Sequence, residues 1–396
     1  MHRFILNDHL MNTNSIIHIK NADLYAPEHI GLTDIIIAGG KFIAIAKDLL
    51  PNLPGVEVID AKGRMVTPGF LDPHVHVTGG GGEGGLQNRT PEIMLSELIA
   101  VGTTGVIGVS GTDFITRSME NLLAKIRALN VEGLNTWTYT SNYRYPPTTL
   151  SQDIAHDMLL VPELLGVKIA LGDHRSSFPT LQQVLALSSD VRLTGLIAGK
   201  PGIVHVHLGN IPGPFDMFAE MADMGFPVYK HIFPTHCSRS RHVFDAAVEY
   251  AKNGGHIDLT TGGAFCFDDP AQAAVEAMDA GVAAENLSFS TDGHGSMPVF
   301  NDRGEMVKIG VGGVGGNLEA MRLLIERYRL APELAFTFNT SNVAKFLGLE
   351  DQGKVAVGAI GNLCILDSDL SIASVVSKGQ PMMLEHQMLI KGTFED

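Results

Sequence analysis

Residues 66–77 read VTPGFLDPHVHV, an apolar run that ends in two histidines separated by a single residue. Alternate residues of a β-strand point to the same side, so such a strand aims the imidazoles of His74 and His76 at one point. Imidazole is a preferred ligand of zinc, and the pair therefore indicates a metal site at a strand end. Two unrelated core histidines are the alternative, and for an isolated H-x-H pair that alternative is the more frequent one.

Seven more apolar runs follow this stretch, and longer amphipathic stretches separate them. Together with 66–77, the predicted strands are Thr104–Val109, Thr136–Thr140, Val167–Leu171, Ile203–Leu208, His231–His236, His256–Thr261 and Leu287–Thr291. The predicted helices include Thr90–Val101, Arg117–Leu129, Arg241–Asn253, Pro270–Ala280 and Asn317–Tyr328. Eight strand–helix units predict an α/β fold, a (β/α)8 TIM barrel, with a doubly wound open sheet as the structural alternative.

Short β-rich segments, rather than helical patterns, occupy both ends of the chain. The segments before the barrel are Ile16–Ile19, Asp34–Ile37, Lys41–Ala46 and Val56–Asp60. After the barrel, the chain returns to short β-rich segments between Lys354 and about Lys391. We expect both groups to pair in a small β-sandwich domain formed by the two termini, with the barrel inserted between them. The predicted domain limits are 1–66 and 353–396 for the β-domain and 67–352 for the barrel.

The overall composition disfavours nucleic acid and membranes as partners. The chain has 43 acidic and 28 basic residues, a formal net charge of -15, which opposes non-specific binding to nucleic acid. The three cysteines are far apart, which disfavours a disulfide framework. The apolar start at Phe4–Leu6 is too short for a signal peptide, and no uncharged run approaches the ~18 residues of a membrane span. We therefore expect a cytoplasmic protein.

Further metal-ligating side chains fall at the ends of the other predicted strands, where barrel enzymes place their chemistry. They are Lys168, His205, His207, His236 and Asp292. A lysine inside a buried strand is costly when charged, and a neutral lysine amine can add carbon dioxide to become an anionic carbamate ligand. The alternative is an ordinary lysine that reaches the surface. Coincidence across five strand ends is the less favoured explanation of the whole set.

Two glycine-rich stretches carry weaker signals. Gly310–Gly315 matches G-x-G-x-x-G, but it follows the last barrel strand rather than the first. This position favours a flexible rim loop, or a helix N-terminus that faces an anion, over a nucleotide site. The Gly79–Gly82 cluster lacks the Gly-Lys-Ser/Thr ending of a phosphate loop. It is interpreted as a mobile loop that presents Glu83 to the site.

On these motifs the chain resembles the amidohydrolase superfamily, and within it the isoaspartyl dipeptidase family, from about residue 20 onward. The stretches that carry the resemblance are GFLDPHVH (69–76), GGGGE (79–83), GTD (111–113), GVK (166–168), DHRS (173–176), PTH (234–236), DGHGS (292–296) and KGTFE (391–395). Two positions depart from the family pattern: His294 replaces Asn, and Asn362 replaces Asp. The first could alter substrate fit, whereas the second is expected to matter little.

The resemblance implies two zinc ions per subunit. His74, His76 and Asp292 would bind one ion, His207 and His236 the other, and an N6-carboxylated Lys168 and a hydroxide would bridge them. His207 is preferred to His205 because Leu-Gly follows it, as in the family.

The resemblance also implies the substrate, a β-aspartyl dipeptide, and the residues that act on it. The bridging hydroxide would attack the isopeptide carbonyl, with Asp292 transferring the proton and Tyr143 stabilising the oxyanion. The implied substrate-binding residues are Glu83, Thr112, Arg175, Arg239 and Ser296. A large homo-oligomer, an octamer among the options, is the implied assembly.

Two alternative functions stay open at this point. Another amidohydrolase, such as an N-acyl amino acid deacylase or a cyclic-amide hydrolase, would share the metals but not the use of Glu83, Arg175 and Arg239. A non-catalytic oligomeric scaffold would lack bound metal altogether.

Overall fold

The computed structural model describes residues 16–51, 54–263, 266–301, 303 and 305–395 of the chain. Residues 1–15, where the sequence predicts no signal peptide, lie outside the described residues. The strands are, in chain order, β1 (Ile16–Tyr25), β2 (His29–Ala38), β3 (Lys41–Ala46), β4 (Val56–Asp60), β5 (Met65–Pro68), β6 (Phe70–Val75), β7 (Thr103–Gly108), β8 (Asn135–Thr140), β9 (Leu164–Leu171), β10 (Ile203–Leu208), β11 (Ile232–Thr235), β12 (Ile257–Thr260), β13 (Leu287–Ser290), β14 (Ser296–Phe300), β15 (Met306–Val311), β16 (Leu363–Leu366), β17 (Ile372–Ser377), β18 (Gln380–Leu384) and β19 (Gln387–Met388). The α-helices are α1 (Leu95–Ile99), α2 (Met119–Val131), α3 (Ile154–Leu160), α4 (Leu181–Ala198), α5 (Asp216–Asp223), α6 (Val228–His231), α7 (Arg241–Lys252), α8 (Pro270–Asp279), α9 (Gly316–Glu326), α10 (Pro332–Ala335) and α11 (Ser341–Phe346).

Eight parallel strands, β6 to β13, form the centre of the molecule. Strands β6 to β11 pair in chain order in one parallel sheet, and β12 pairs with β13. The Cys237 amide donates a hydrogen bond of 3.1 Å to Asp258 O and so connects the end of β11 to β12. A parallel bridge between Val75 and Gly293 connects the first strand to the segment after the eighth. The ring of strands confirms the predicted α/β class and the (β/α)8 barrel.

Strand β9 illustrates why these segments become barrel strands. Its sequence LLGVKIAL is buried at all eight positions, as expected for a parallel strand that is covered on both faces. Val167 and Ile169 pack in a core cluster with Val184 and Val191 of α4. Because side chains alternate along a strand, Lys168 points to the opposite side, into the barrel.

Strands from both chain ends form a second, predominantly antiparallel sheet. Its order is β19-β18-β17-β16-β5-β1-β2-β3, and β4 pairs with β1. The two ends of the chain meet where β5 and β16 pair, from Leu363 opposite Pro68 to Leu366 opposite Met65. The predicted β-sandwich from both termini is confirmed, whereas the exact domain limits stay predictions.

The predicted first strand, 66–77, is in fact two strands in different sheets. Met65–Pro68 belongs to the terminal sheet as β5, and Phe70–Val75 belongs to the barrel as β6. Gly69 lies between them, and a Cβ at this position would collide with the side chain of Thr104.

One further local prediction was wrong, and one pair of strands was missed. The helix expected at Thr90–Val101 begins only at Leu95, because the Thr90 backbone and side chain bind the glycine-rich loop at Gly80 instead. The hairpin of β14 and β15 was not predicted, and Gly310 of the G-x-G-x-x-G pattern is paired in it with Met297.

Candidate active site

The predicted metal ligands gather at one end of the barrel. His74 lies at the end of β6, Lys168 in β9 and His207 near the end of β10. His236 directly follows β11, and Asp292 lies two residues after the end of β13. Both adopt left-handed backbone angles, with φ of 62° and 52°. Such angles are uncommon for residues other than glycine and cluster at functional sites.

One group of ligands consists of His74, His76 and Asp292. Their ligand atoms all lie within 4.8 Å of one another. Asp292 Oδ1 lies 3.1 Å from His76 Nε2 and 3.4 Å from His74 Nε2. Burial would raise the pKa of Asp292, but the two imidazoles hold it well below its usual range. Burial, followed by the nearby Lys168, lowers the pKa of His74 to about 3. A carboxylate beside two neutral imidazoles is a donor set that suits zinc.

A second group consists of His207, His236 and Lys168. The rings of His207 and His236 are 4.4 Å apart, and His236 is 5.3 Å from the ring of His74. His207 Nδ1 and His236 Nε2 are buried and have no hydrogen-bond partner. Burial holds the pKa of both histidines well below its usual range. Two unpartnered buried nitrogens beside the first group fit a second metal ion.

Lys168 is wholly buried in the same place. Its Nζ donates a hydrogen bond of 3.0 Å to Ser110 O and lies 4.5 Å from the centre of the Tyr143 ring. Burial lowers its pKa to about 7, so much of the amine is neutral and nucleophilic near neutral pH. This chemistry fits the modification that the family resemblance implies.

His205 lies one layer deeper in the barrel than His207. Its Nε2 is 2.6 Å from His74 Nδ1, and its Nδ1 is 3.1 Å from Phe233 O. Both of its nitrogens are therefore engaged, whereas His207 keeps Nδ1 unpartnered. The geometry favours His207 as the ligand from this strand.

Glu83 lies on the glycine-rich loop, beside three of the other predicted substrate-binding residues. Its Oε1 accepts hydrogen bonds from Thr112 Oγ1 at 2.8 Å and from Ser296 Oγ at 3.1 Å. Arg175 Nη1 is 3.5 Å from the same oxygen. Glu83 Oε2 is buried without a partner, so this carboxylate keeps one oxygen available for a cationic group.

Asp173 is a functional residue that sequence reasoning missed, although its motif was noted. It accepts hydrogen bonds from Arg175 Nε at 2.7 Å and from His207 Nε2 at 3.0 Å, and Arg239 Nη1 lies 3.4 Å away. Burial alone would raise its pKa, but His207 and Arg175 hold it well below its usual range. The sequence did offer a signal for this residue, because Asp173 lies two positions after the end of the fourth barrel strand.

The cavity at this end of the barrel has two lobes that share Tyr143, His174 and Arg175. A lobe of about 590 Å³ has Glu83 and Thr112 in its wall. A lobe of about 320 Å³ is lined by four of the predicted ligands, by Arg239 and by the hairpin residues 296–299; the four ligands are His76, His207, His236 and Asp292. Acidic and basic side chains therefore both line the cavity that the predicted metal ligands border.

Tyr143 stands between the lobes. Its ring meets the edge of His207 at 4.9 Å, and the Arg175 guanidinium lies 4.7 Å above it. Burial raises the pKa of Tyr143 well above its usual value. Its hydroxyl therefore stays protonated and can donate a hydrogen bond.

The two departures from the family pattern lie away from the cavity wall. His294 contacts Pro91 O at 2.9 Å and Glu97 Oε1 at 3.1 Å. Asn362 is buried between the barrel and the terminal sheet, where it bonds Asn135 and Gln352.

Comparison with known proteins agrees with this geometry. Two amidohydrolase family profiles match, over residues 57–98 and 215–392. The crystal structure of the beta-aspartyl dipeptidase from Fervidobacterium islandicum, in complex with a beta-Asp-Leu dipeptide, is 40% identical; the match covers 94% of this chain and 98% of that chain, with a TM-score of 0.88. The chain belongs to the beta-aspartyl dipeptidase family of amidohydrolases.

More distant relatives either have a lower sequence identity to this chain or match only a short segment of it. The N-acetylglucosamine-6-phosphate deacetylase from Pasteurella multocida is 17% identical, with a TM-score of 0.62 over 92% of this chain and 99% of its own, and shows the fold alone. An adenine deaminase from Lactobacillus delbrueckii is 23% identical over 92% of this chain, and the match spans 58% of that relative's length. An allantoinase from Enterococcus faecalis is 49% identical over 51 residues, which are 13% of this chain and 10% of the relative.

As a member of the beta-aspartyl dipeptidase family, the chain is a hydrolase of the amidohydrolase superfamily. No helix in the described part of the chain combines the length and the apolar character needed to cross a lipid bilayer.

Proposed function

We propose that this protein hydrolyses β-aspartyl (isoaspartyl) dipeptides with two divalent metal ions, which we expect to be zinc. The observation that carries the proposal is the arrangement of Glu83, Arg175 and Arg239 around the two groups of metal ligands. The beta-Asp-Leu dipeptide bound by the Fervidobacterium relative supports the same substrate class.

The charges of the cavity complement those of a β-aspartyl dipeptide. Such a peptide carries a free α-amino group, a free α-carboxylate and a C-terminal carboxylate. The unpartnered Oε2 of Glu83 can accept a hydrogen bond from the ammonium group. The guanidinium groups of Arg175 and Arg239 suit the two carboxylates, and Asp173 orients both arginines. Thr112 and Ser296 hold Glu83 in place and can add hydrogen bonds to substrate.

The metal ions would be held by the two groups of ligands. His74, His76 and Asp292 would hold one ion, His207 and His236 the other, and a carboxylated Lys168 would complete the set of ligands. Metal ions of this kind polarise a carbonyl group and lower the pKa of a bound water to near neutral.

The remaining chemistry belongs to side chains of this chain. The Asp292 carboxylate, whose pKa is well below its usual range, would take a proton from the attacking water and deliver it to the leaving amine. The protonated Tyr143 hydroxyl would donate a hydrogen bond to the oxygen on which charge develops. No covalent intermediate with the enzyme is required.

The proposal extends to location and assembly. We expect a cytoplasmic homo-oligomer, with an octamer among the assemblies that the family implies. Size-exclusion chromatography with light scattering measures the subunit count.

The deciding experiment compares substrates on the purified, zinc-loaded protein. The kcat/KM is measured for β-Asp-Leu, α-Asp-Leu, N-acetyl-β-Asp-Leu and N-acetyl-leucine. We expect turnover of β-Asp-Leu and little turnover of the other three compounds, since only the first presents both a free α-amino group and a β-linkage. A preference for α-Asp-Leu or for N-acetyl-leucine would overturn the proposed specificity.

The Glu83→Gln variant tests how the amino group is recognised. Because a hydrogen bond to a charged group contributes about 1.5–3 kcal/mol, we expect a roughly 10- to 100-fold loss of kcat/KM on β-Asp-Leu. Glu57→Gln, on an exposed strand position of the terminal sheet, is the matched control and should leave kcat/KM unchanged.

A further inference from the structure

His205 is a buried polar residue for which the reaction described above has no use. It is wholly buried in the barrel interior. It is the first of the two histidines in its strand, and the register places it beside Lys168 on one side and Phe233 on the other. A buried imidazole in this position calls for a physical reason, because unsatisfied buried polar groups are costly.

The contacts of His205 define the direction of a hydrogen-bond chain. Its Nδ1 lies 3.1 Å from Phe233 O, a carbonyl that can only accept. Nδ1 of His205 therefore carries a proton. In a neutral imidazole the other nitrogen is then an acceptor, so His205 Nε2 accepts from His74 Nδ1, 2.6 Å away.

The consequence concerns His74, which belongs to the first group of metal ligands. If its Nδ1 carries the proton, its Nε2 holds a lone pair. That Nε2 lies 3.4 Å from Asp292 Oδ1 and has no hydrogen-bond partner. The opposite tautomer of His74 would place two lone pairs face to face at the His205 contact.

The ring of His205 is also held in orientation. It stacks on Tyr139 with centroids 4.8 Å apart and planes 17° apart, and Phe233 lies 5.0 Å away on a tilted plane. The acceptor is thus fixed by packing as well as by its own hydrogen bond. Partners of this kind commonly tune metal affinity by 10- to 100-fold.

We propose that His205 is a positioning residue for the metal site: it accepts the Nδ1 proton of His74 and so fixes the tautomer and orientation in which His74 Nε2 faces the ion. This inference rests on the metal site of the proposed function, but it does not depend on the identity of the peptide substrate.

The first test measures zinc affinity of the full-length protein by competition with a chromophoric chelator. His205→Phe keeps a ring against Tyr139 and removes the acceptor, and we expect the zinc dissociation constant to rise about 10- to 100-fold. His205→Gln supplies both an acceptor for His74 and a donor for Phe233 O, and should stay within about threefold of the unaltered protein.

His256→Phe is the matched control. His256 is also buried, and it stacks on Phe346 at 4.6 Å and contacts Phe233. Its replacement should leave zinc affinity unchanged. Folded His205→Phe protein that binds zinc as tightly as the His256→Phe control would overturn the proposal.

A second measurement uses the unaltered sequence and so does not depend on the folding of any variant. Metal-depleted protein labelled with ¹⁵N-histidine is examined by long-range ¹H–¹⁵N NMR, which distinguishes the two imidazole tautomers. We expect His74, assigned by comparison with His74→Gln, in the Nδ1-protonated form. The Nε2-protonated form would contradict the proposal. Neither measurement requires peptide turnover. Both therefore remain interpretable if the protein does not hydrolyse the proposed substrate.

Discussion

At the scale of a single residue, Asp292 neighbours both imidazoles of the first group of predicted ligands and also borders the cavity. Its side chain is 16% exposed, whereas His74 is fully enclosed. Its left-handed backbone turns the carboxylate back over the strand end. A residue placed in this way can bind an ion with one oxygen and exchange a proton with substrate through the other.

Asp292→Asn should therefore lower kcat on β-Asp-Leu by about 10³-fold or more, since an amide cannot take up the proton. Circular dichroism and zinc analysis establish that the variant is folded and how much metal it holds. Asp367→Asn, at a surface ion pair with His386, should retain full kcat. Activity of the Asp292 variant above a tenth of the original would exclude its assigned role.

The pKa of Lys168 predicts how recovery of activity depends on pH. Burial lowers this pKa to about 7, so the amine is mostly charged at pH 6 and mostly neutral at pH 8. Only the neutral amine adds carbon dioxide. At fixed dissolved CO₂, metal-depleted protein given zinc should regain activity about tenfold more slowly at pH 6 than at pH 8.

The readout is the time course of dipeptidase activity, assayed at one common pH. Metal-loaded protein held at the same two pH values should keep its activity and serves as the control. Equal recovery rates at pH 6 and pH 8 would show that Lys168 is not the group that limits reconstitution.

At the scale of elements, the glycine-rich loop before α1 is the part that positions Glu83. Arg117 Nη1 donates to Gly80 O at 2.7 Å and Nη2 donates to Thr90 O at 2.5 Å. Gly111 packs so closely that a Cβ there would lie 2.6 Å from Gly80 Cα. Arg117 and this close backbone approach thus add to the Thr90 contacts that hold the loop.

Arg117→Met should lower kcat/KM for β-Asp-Leu about tenfold while leaving zinc content unchanged, because it releases two loop carbonyls. Arg127→Met is the paired control, since Arg127 forms an exposed ion pair with Glu163 and such pairs contribute little. If both variants behave alike in kcat/KM, the loop does not depend on Arg117.

The elements that could be predicted from the sequence are those whose burial leaves a local pattern. Strand β10 was predicted at its observed limits, Ile203–Leu208, because burial on both faces gives a continuous apolar run. The break at Gly69 was not visible, since it depends on a contact with Thr104 on another strand. The pairing of Asp173 with Arg239 was missed for the same reason: it joins residues far apart in the chain.

At the scale of the whole molecule, a buried polar network joins the barrel to the terminal sheet. Asn362 Nδ2 donates to Gln352 Oε1 at 2.8 Å, and its Oδ1 accepts from Asn135 Nδ2 at 3.2 Å and from the Lys378 amide at 2.8 Å. The family resemblance located this position but could not show that an amide, with both a donor and an acceptor, fits the network.

Asn362→Leu should reduce the free energy of unfolding by at least about 2 kcal/mol, because it leaves buried partners unpaired at about 1–3 kcal/mol each. The midpoint of urea unfolding should fall, with kcat unchanged in native buffer. Asn253→Leu alters an exposed amide at the end of α7 and should leave the midpoint in place. An unaltered midpoint for Asn362→Leu would show that this network does not stabilise the folded protein.

The junction of β5 and β6 has a consequence for the order of biosynthesis. One glycine separates the strand that carries His74 from a strand whose neighbour, β16, is translated after all eight barrel strands. A nascent chain that has already exposed its complete barrel holds β1, one of the two strands that pair with β5, but still lacks β16, the other. The full set of strand contacts at the start of the barrel therefore forms only after the far end of the polypeptide has left the ribosome.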